Sequence, residues 1–354
     1  GIVAFFLEST FIAVMFFGWN RVSKGFHLAS TWLTAAGVCL SAYWILVANA
    51  WMQYPVGMEF DPAQMRNVMV SFADVALSPV AVNKFFHTVL SGWVLGAVFV
   101  VGVSCWFLYK KSNISLAKDS MKVASWVGLA GIVLTIWTGD GSAVQVAKVQ
   151  PMKLAAMEGL YDGSRGQSLV AFGIINPSKE RTDDKPAILG EIAIPKGLSI
   201  LANHDADSFV PGINDLINGV SVNAQGDTVN TVSYAERIER GRAAQEALRR
   251  YEAAMKANDT AAMQAAEADI KADFQVFGYG FLDSVDEAVP PVALTFYAFR
   301  VMVMGGGYLL LFFVVMLFLC YRKPETMEKG WVIFFGLLTI PVVWLVSEAG
   351  WVTV

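Results

Sequence analysis

Phe85–Tyr109, FFHTVLSGWVLGAVFVVGVSCWFLY, runs without a single charged residue and holds one histidine near its start. A bilayer core of about 30 Å needs roughly 20 apolar residues in helix, and this run exceeds that. Five other stretches share the pattern: Gly1–Gly18, Thr31–Met52, Val123–Thr138, Leu294–Tyr321 and Trp331–Val354. Val123–Thr138 is short, but Ser120 and Met121 extend it. Only helices or closed barrels satisfy their backbone polar groups in lipid, and these runs have helical length and composition. The reading is an all-α polytopic membrane bundle of six spans.

The connections sort by charge. Asn20–Ser30 carries Arg21 and Lys24 with no acid, and Lys110–Lys122 carries four lysines against Asp119 alone. The connection after the fifth span holds Arg322, Lys323 and Lys329 against two glutamates. These alternate with two longer, more acidic connections, Gln53–Lys84 and Gly139–Pro291. The positive-inside rule puts the basic ones in the cytoplasm and the long ones outside. The chain thus divides into four membrane helices (1–138), an extramembrane region (139–291) and two further helices (292–354). Within the middle region, Ser233–Gln275 places Glu and Arg at helical spacings, as in a solvated helix or helical hairpin. A connection of that length is usually functional.

Composition agrees. Of the 354 residues 55% are hydrophobic and 16% charged, below the roughly 25% of soluble domains. Eleven Trp and 24 Phe fit a bilayer protein, and no basic patch points to nucleic acid. Cys39, Cys105 and Cys320 sit in or at the end of apolar runs and give neither a disulfide framework nor metal spacing, so redox chemistry requires a cofactor. Both ends fall inside apolar runs, so the chain reads as an internal piece of a longer protein.

Few residues are placed to carry chemistry. Of three histidines, His87 lies at the outer mouth of the third span, with Gly92 and Gly96 forming a small-xxx-small pair just inward. His27 and His204 lie in loops. An interfacial histidine is often only a satisfied polar group. Met302, at the matching mouth of the fifth span, offers a thioether, and Met/His ligation of haem iron is one use of such a pair. With fourteen Met in the chain, core filling is the plain alternative. Arg300 would set a positive charge near a propionate. Glu8 inside the first span is costly unless functional, as proton relay or ion site. Ser41 and Asn49 continue a polar path or bond between helices, and Glu348 invites the same reading less strongly. Lys153 and Glu158, at the start of the long connection, could bind a quinol head group and take its protons, or form a surface ion pair.

The order of FFLESTF (Phe5–Phe11), WILVANAWMQYPVG (Trp44–Gly57), KFFHTVLSG (Lys84–Gly92), KLAAMEG (Lys153–Gly159), FYAFRVMV (Phe296–Val303) and EAGW (Glu348–Trp351) resembles subunit I of the cytochrome bd quinol oxidases. The resemblance spans the chain and implies six of the family's nine helices, with the long connection as a Q-loop. It implies a quinol:oxygen oxidoreductase, electrogenic without pumping, in a bacterial inner membrane, with the Q-loop periplasmic. His87 and Met302 match the axial ligands of a low-spin haem b, and Arg300 an arginine beside it. Lys153 and Glu158 match the quinol pair; Glu8 and Ser41 match a proton route. Asn49 matches a polar residue near the high-spin haems, and Trp351 an aromatic between haems. A high-spin haem b and haem d belong to the full-length protein, and the resemblance implies that this piece cannot complete the oxygen site by itself. Implied partners are ubiquinol or menaquinol, oxygen, a second subunit, small accessory subunits and the bilayer. Asn20 departs from the family, where Asp is common near the proton entrance. Two alternatives remain: a cyanide-insensitive oxidase with haem b in place of haem d, and a secondary transporter using Glu8, with the long connection as lid.

Overall fold

The computed structural model describes residues 2–61, 66–223 and 227–353. Among these residues the helices are α1 (Ile2–Phe17), α2 (Lys24–Gln53), α3 (Phe72–Ala76), α4 (Pro79–Tyr109), α5 (Ile114–Val149), α6 (Pro151–Glu158), α7 (Gly197–Asn203), α8 (Ile213–Ile217), α9 (Tyr234–Ala257), α10 (Thr260–Asp273), α11 (Val292–Arg322) and α12 (Gly330–Thr353). Helices α2, α4, α5, α11 and α12 are long and apolar enough to cross a membrane. Helix α1 has 16 described residues and is apolar but for Glu8, Ser9 and Thr10. It ends where Gly18 breaks the apolar run and polar Asn20 and Arg21 follow. Five helices of the described chain are thus long enough to span, and α1, the first of the six expected, packs along α2.

Local signals set the helix starts. Ser23 and Ser78 cap α2 and α4 by accepting from the Phe26 and Ala81 amides, and Pro79 pre-sets the first turn of α4. Helix α5 outruns its expected limits at both ends because hydropathy marks the lipid-facing part of a helix, not its length. Its polar first turns are held by Lys118–Glu328 and Lys122–Asp119 ion pairs, and it continues past Thr138 to Val149.

The bundle core lies among α4, α5, α11 and α12, around Val98, Val101, Met121, Leu309, Phe313 and Val332. Gly128 of α5 makes room for the fully buried Phe313 ring: an added Cβ would sit 2.2 Å from it. The outward surface of these helices is apolar, with Trp93, Phe99, Trp137, Phe318, Phe334 and Trp344 all exposed. In water that surface would drive association; against acyl chains it is the required one.

The long connection is a separate layer at the end of the bundle where α5 stops and α11 starts. It contains α6–α10 and four two-stranded antiparallel ladders occur in the described chain, counting one in the first long connection. They pair β1 (Met58–Asp61) with β2 (Arg66–Met69), β3 (Ser164–Arg165) with β6 (Phe209–Val210), β4 (Leu169–Ile175) with β5 (Ile188–Ile194), and β7 (Val220–Val222) with β8 (Thr228–Asn230). These short ladders were not anticipated. The charged segment is the expected helical hairpin: Asn258 turns in the left-handed region and Asp259 caps α10. Its two helices bury Ala247, Tyr251, Ala266 and Ile270 against each other.

Candidate functional site

Helix α6 brings the two loop candidates to the bundle. Pro151 starts it, and Gly159, with φ +61°, ends it by returning its amide to the Ala155 and Ala156 carbonyls. That ending drops Glu158 into the seam between α6 and α11, where its side chain is 2% exposed. Arg300 Nη2 donates to Glu158 Oε2 at 2.7 Å and to the Val170 carbonyl at 2.9 Å. Its Nη1 donates to the Met157 carbonyl, and its guanidinium carbon sits 3.5 Å from the Phe296 ring centroid. Among the described residues Glu158 Oε1 and Arg300 Nε are buried without a hydrogen-bond partner.

Burial and the ion pair pull the Glu158 carboxyl in opposite directions. Burial wins and pushes it up to about 7, although the Arg300 charge and hydrogen bond pull it down. Lys153, on the same short helix, is pulled down to about 8 by burial. Each group thus changes charge close to neutral pH, unlike an exposed ion pair.

His87 lies on α4 facing α5. Its Nδ1 is 3.0 Å from Thr138 Oγ1, and a Cβ added at Gly139 would lie 3.3 Å from the ring. Asn83, one turn earlier, donates to the Thr138 carbonyl at 3.1 Å and to Ser142 Oγ at 2.7 Å, which fixes the α4–α5 register at this level. Met302 follows Arg300 by two positions on α11, and its sulfur faces α12: Thr353 Oγ1 donates to Sδ at 3.7 Å.

Lys84, one turn before His87, was not singled out from the sequence. Its ammonium donates to Asn49 Oδ1 at 2.9 Å and Gln53 Oε1 at 2.6 Å, clasping α2 to α4. Lys153 is close enough for its charge to act on Lys84, so the clasp and α6 share one neighbourhood. The available signal was a lysine inside an otherwise apolar helix, where a cation needs partners.

The remaining candidates lie apart from this cluster. Glu8 is on α1 at its close approach to Gly37 of α2, and Ser41 is one turn further along the same face of α2. Trp351 is exposed on α12, and Glu348, one turn before it, is exposed as well. So the structure joins Glu158 to Arg300, and Lys84 to Asn49 with the Lys153 charge near it; Lys84 shares α4 with His87, and Arg300 shares α11 with Met302.

Comparison with known proteins agrees with this architecture. The family described as cytochrome bd terminal oxidase subunit I matches residues 1–354. The chain is 36% identical to cytochrome bd-II ubiquinol oxidase subunit 1 of Escherichia coli (strain K12), across 99% of this chain and 66% of that protein. It is 29% identical to cytochrome bd ubiquinol oxidase subunit 1 of Bacillus subtilis (strain 168), across 99% of this chain and 61% of that protein. In fold it matches the bd oxidase of Geobacillus thermodenitrificans with a TM-score of 0.71 at 21% identity, covering 99% of this chain and 64% of that one. The chain therefore spans somewhat under two thirds of the length of these relatives. Nothing in these matches favours a transporter. On the whole-length family match, this chain belongs to the cytochrome bd terminal oxidase subunit I family.

Proposed function

We propose that this chain is the part of a bacterial respiratory terminal oxidase that takes electrons from quinol, ubiquinol or menaquinol. In the whole protein those electrons reduce oxygen to water, with a second subunit as partner. Residues 1–138 and 292–354 form the membrane part in an inner membrane, and 139–291 form a Q-loop on the periplasmic side. The observation that carries the proposal is the buried Glu158–Arg300 pair, with the partly buried Lys153 on the same short helix as Glu158, at the bundle end that holds His87 and Met302.

The family implies haem, and the residues present fit one. A Cβ added at Gly139 would lie 3.3 Å from the His87 ring and one added at Gly350 would lie 3.5 Å from the Met302 sulfur, so a glycine opens space beside each donor. His87 would supply an imidazole nitrogen, with Nδ1 oriented by Thr138, and Met302 a thioether, to hold a low-spin haem b. When bound, that haem supplies one-electron redox chemistry next to the quinol.

The chain's own residues handle the protons. Glu158, ionised above about pH 7, accepts a quinol proton on its unpartnered Oε1, while Arg300 holds Oε2 and keeps the carboxylate in place. Lys153, charged below about pH 8, holds the quinol oxygen. Asn49 acts through Lys84, which it clasps. Glu8 and Ser41, along the α1–α2 seam, would relay protons, and Trp351 would assist electron transfer, in a whole protein holding a high-spin haem b and haem d.

The deciding experiment is Lys153→Ala in the complete oxidase. Quinol oxidation falls while haem content and reduction by a small-molecule donor stay intact. Unchanged quinol kinetics would remove Lys153, and with it the reading of this end as the quinol site.

A further inference from the structure

The β4–β5 hairpin is apolar on both faces. One face packs on the protein: Ile175 and Ile188 close over Gly159, where an added Cβ would lie 3.2 and 3.5 Å from their Cδ1 atoms, and the Val170 carbonyl takes a hydrogen bond from Arg300. On the other face two directly paired cross-strand couples, Phe172 with Ile192 and Ile174 with Leu189, are exposed. They are 53%, 65%, 55% and 43% exposed, and Ile194 beside them is 52% exposed. A two-stranded ladder in water ordinarily turns polar residues outward. An apolar patch of this kind on a rigid element marks a contact with something apolar.

What covers it is set by its neighbours. The hairpin is fastened to the first turns of α11: Tyr297 Oη accepts the Ile175 amide at 3.0 Å, and Arg300 binds Val170. At this level α11 exposes Leu294, Tyr297 and Val301 on its own lipid-facing side. The hairpin face thus continues the surface of a membrane-spanning helix. The polar tip of the hairpin turns away from it. Arg181 pairs with Asp286, Asn214 donates to Asp162 and to the Arg181 carbonyl, and Lys179 lies over the Tyr161 ring. Depth is limited as well. A two-strand ladder has open edges, and Glu191 is exposed at the bulge opposite Gly173; neither tolerates hydrocarbon. The headgroup layer, apolar below and wet above, accepts both.

We propose that the exposed face of the β4–β5 hairpin lies in the interfacial layer of the bilayer, as the lipid-side wall of the Glu158–Lys153 site. The inner face of the same two strands roofs Gly159 and Arg300, so a lipophilic ligand reaching Glu158 from the membrane passes this wall. The functional half rests on the quinol-site reading above; the membrane contact does not.

The test uses the complete oxidase in phosphatidylethanolamine–phosphatidylglycerol vesicles, with nitroxide labels at F172C and I192C in a background lacking reactive cysteines. Power-saturation measurements compare collision with oxygen, which partitions into lipid, and with a water-soluble nickel chelate. Both labels should favour oxygen, while a control label at E252C, exposed on α9, favours nickel. Preference for nickel at 172 and 192 overturns the proposal, and shielding from both reagents overturns it in favour of a protein partner. Kinetics give a second, separate readout. I192E should raise the apparent KM for a long-tailed quinol several-fold and leave that for a short-tailed analogue unchanged. An equal rise for both would refute the wall's role in access. If the labels report lipid while Lys153→Ala leaves quinol kinetics intact, the quinol-site reading fails and the membrane contact stands.

Discussion

Arg300, on α11, and Glu158, at the end of α6, meet at 2.7 Å across 142 positions of sequence, and both side chains are almost wholly enclosed. Their charges alone do not make this a strong contact. Burying two ions costs several kcal/mol each, and the attraction offsets it only when the remaining donors are satisfied. Arg300 meets that condition in part, its two Nη atoms reaching the Met157, Phe296 and Val170 carbonyls while Nε has no partner, and Glu158 keeps one oxygen unpartnered. The pair is a held carboxylate with one open position.

Removing the cation exposes that imbalance. Arg300→Met is expected to cost about 3–5 kcal/mol, the usual penalty for stranding one buried partner. It should also drive Glu158 above its present value near 7, because the attraction opposing burial is gone. A lowered thermal midpoint of the detergent-solubilised oxidase, with the acid limb of its pH profile moved to higher pH, checks both.

If Glu158 and Lys153 form the proposed quinol site, the pH dependence of quinol oxidation follows from two groups with opposite requirements. Glu158 must be ionised to accept a proton, so the rate rises through about pH 7. Lys153 must be protonated to hold the quinol oxygen, so the rate falls above about pH 8. The expected profile is a narrow bell. Glu158→Gln should lower the rate and erase the acid limb while leaving the alkaline one; an acid limb that persists would place the proton acceptor elsewhere.

The membrane part was legible in the sequence because spanning helices obey a one-dimensional rule, length and apolarity, that needs no knowledge of neighbours. The family motifs also picked out Glu158, Arg300 and Lys153. That Arg300 serves Glu158 was not legible, since the partners come from distant segments whose meeting depends on Gly159 ending α6 and on the β4–β5 hairpin covering it. The Lys84 clasp was missed for the same reason. So were the short ladders, whose strands of two to seven residues sit in turn-rich sequence and carry no clear alternation.

The histidine site separates ligand from orienting group. In the complete protein His87→Ala should abolish the low-spin haem b signal while the subunit still inserts. Thr138→Val removes the hydroxyl 3.0 Å from Nδ1 and keeps the shape. Loss of such an orienting contact typically weakens metal binding about 10–100-fold, so haem should titrate in more weakly but with a six-coordinate spectrum. Loss of the signal in Thr138→Val alone, with His87→Ala retaining it, would move the ligand away from α4.

Lys84 tests whether the clasp is structural. Lys84→Met leaves the amide oxygens of Asn49 and Gln53 without the donor that joins α2 to α4, at a cost of about 1–3 kcal/mol for stranded polar groups. Asn49→Ala combined with it should add less than its separate effect, because both changes break the same contact. The same double-mutant cycle with Glu252→Ala, on the surface of α9, should be additive. Measured by thermal unfolding in detergent, additivity between Lys84 and Asn49 would mean that the 2.9 Å contact contributes nothing to holding the two helices, and the ammonium would then answer to the neighbouring Lys153 and its ligand instead.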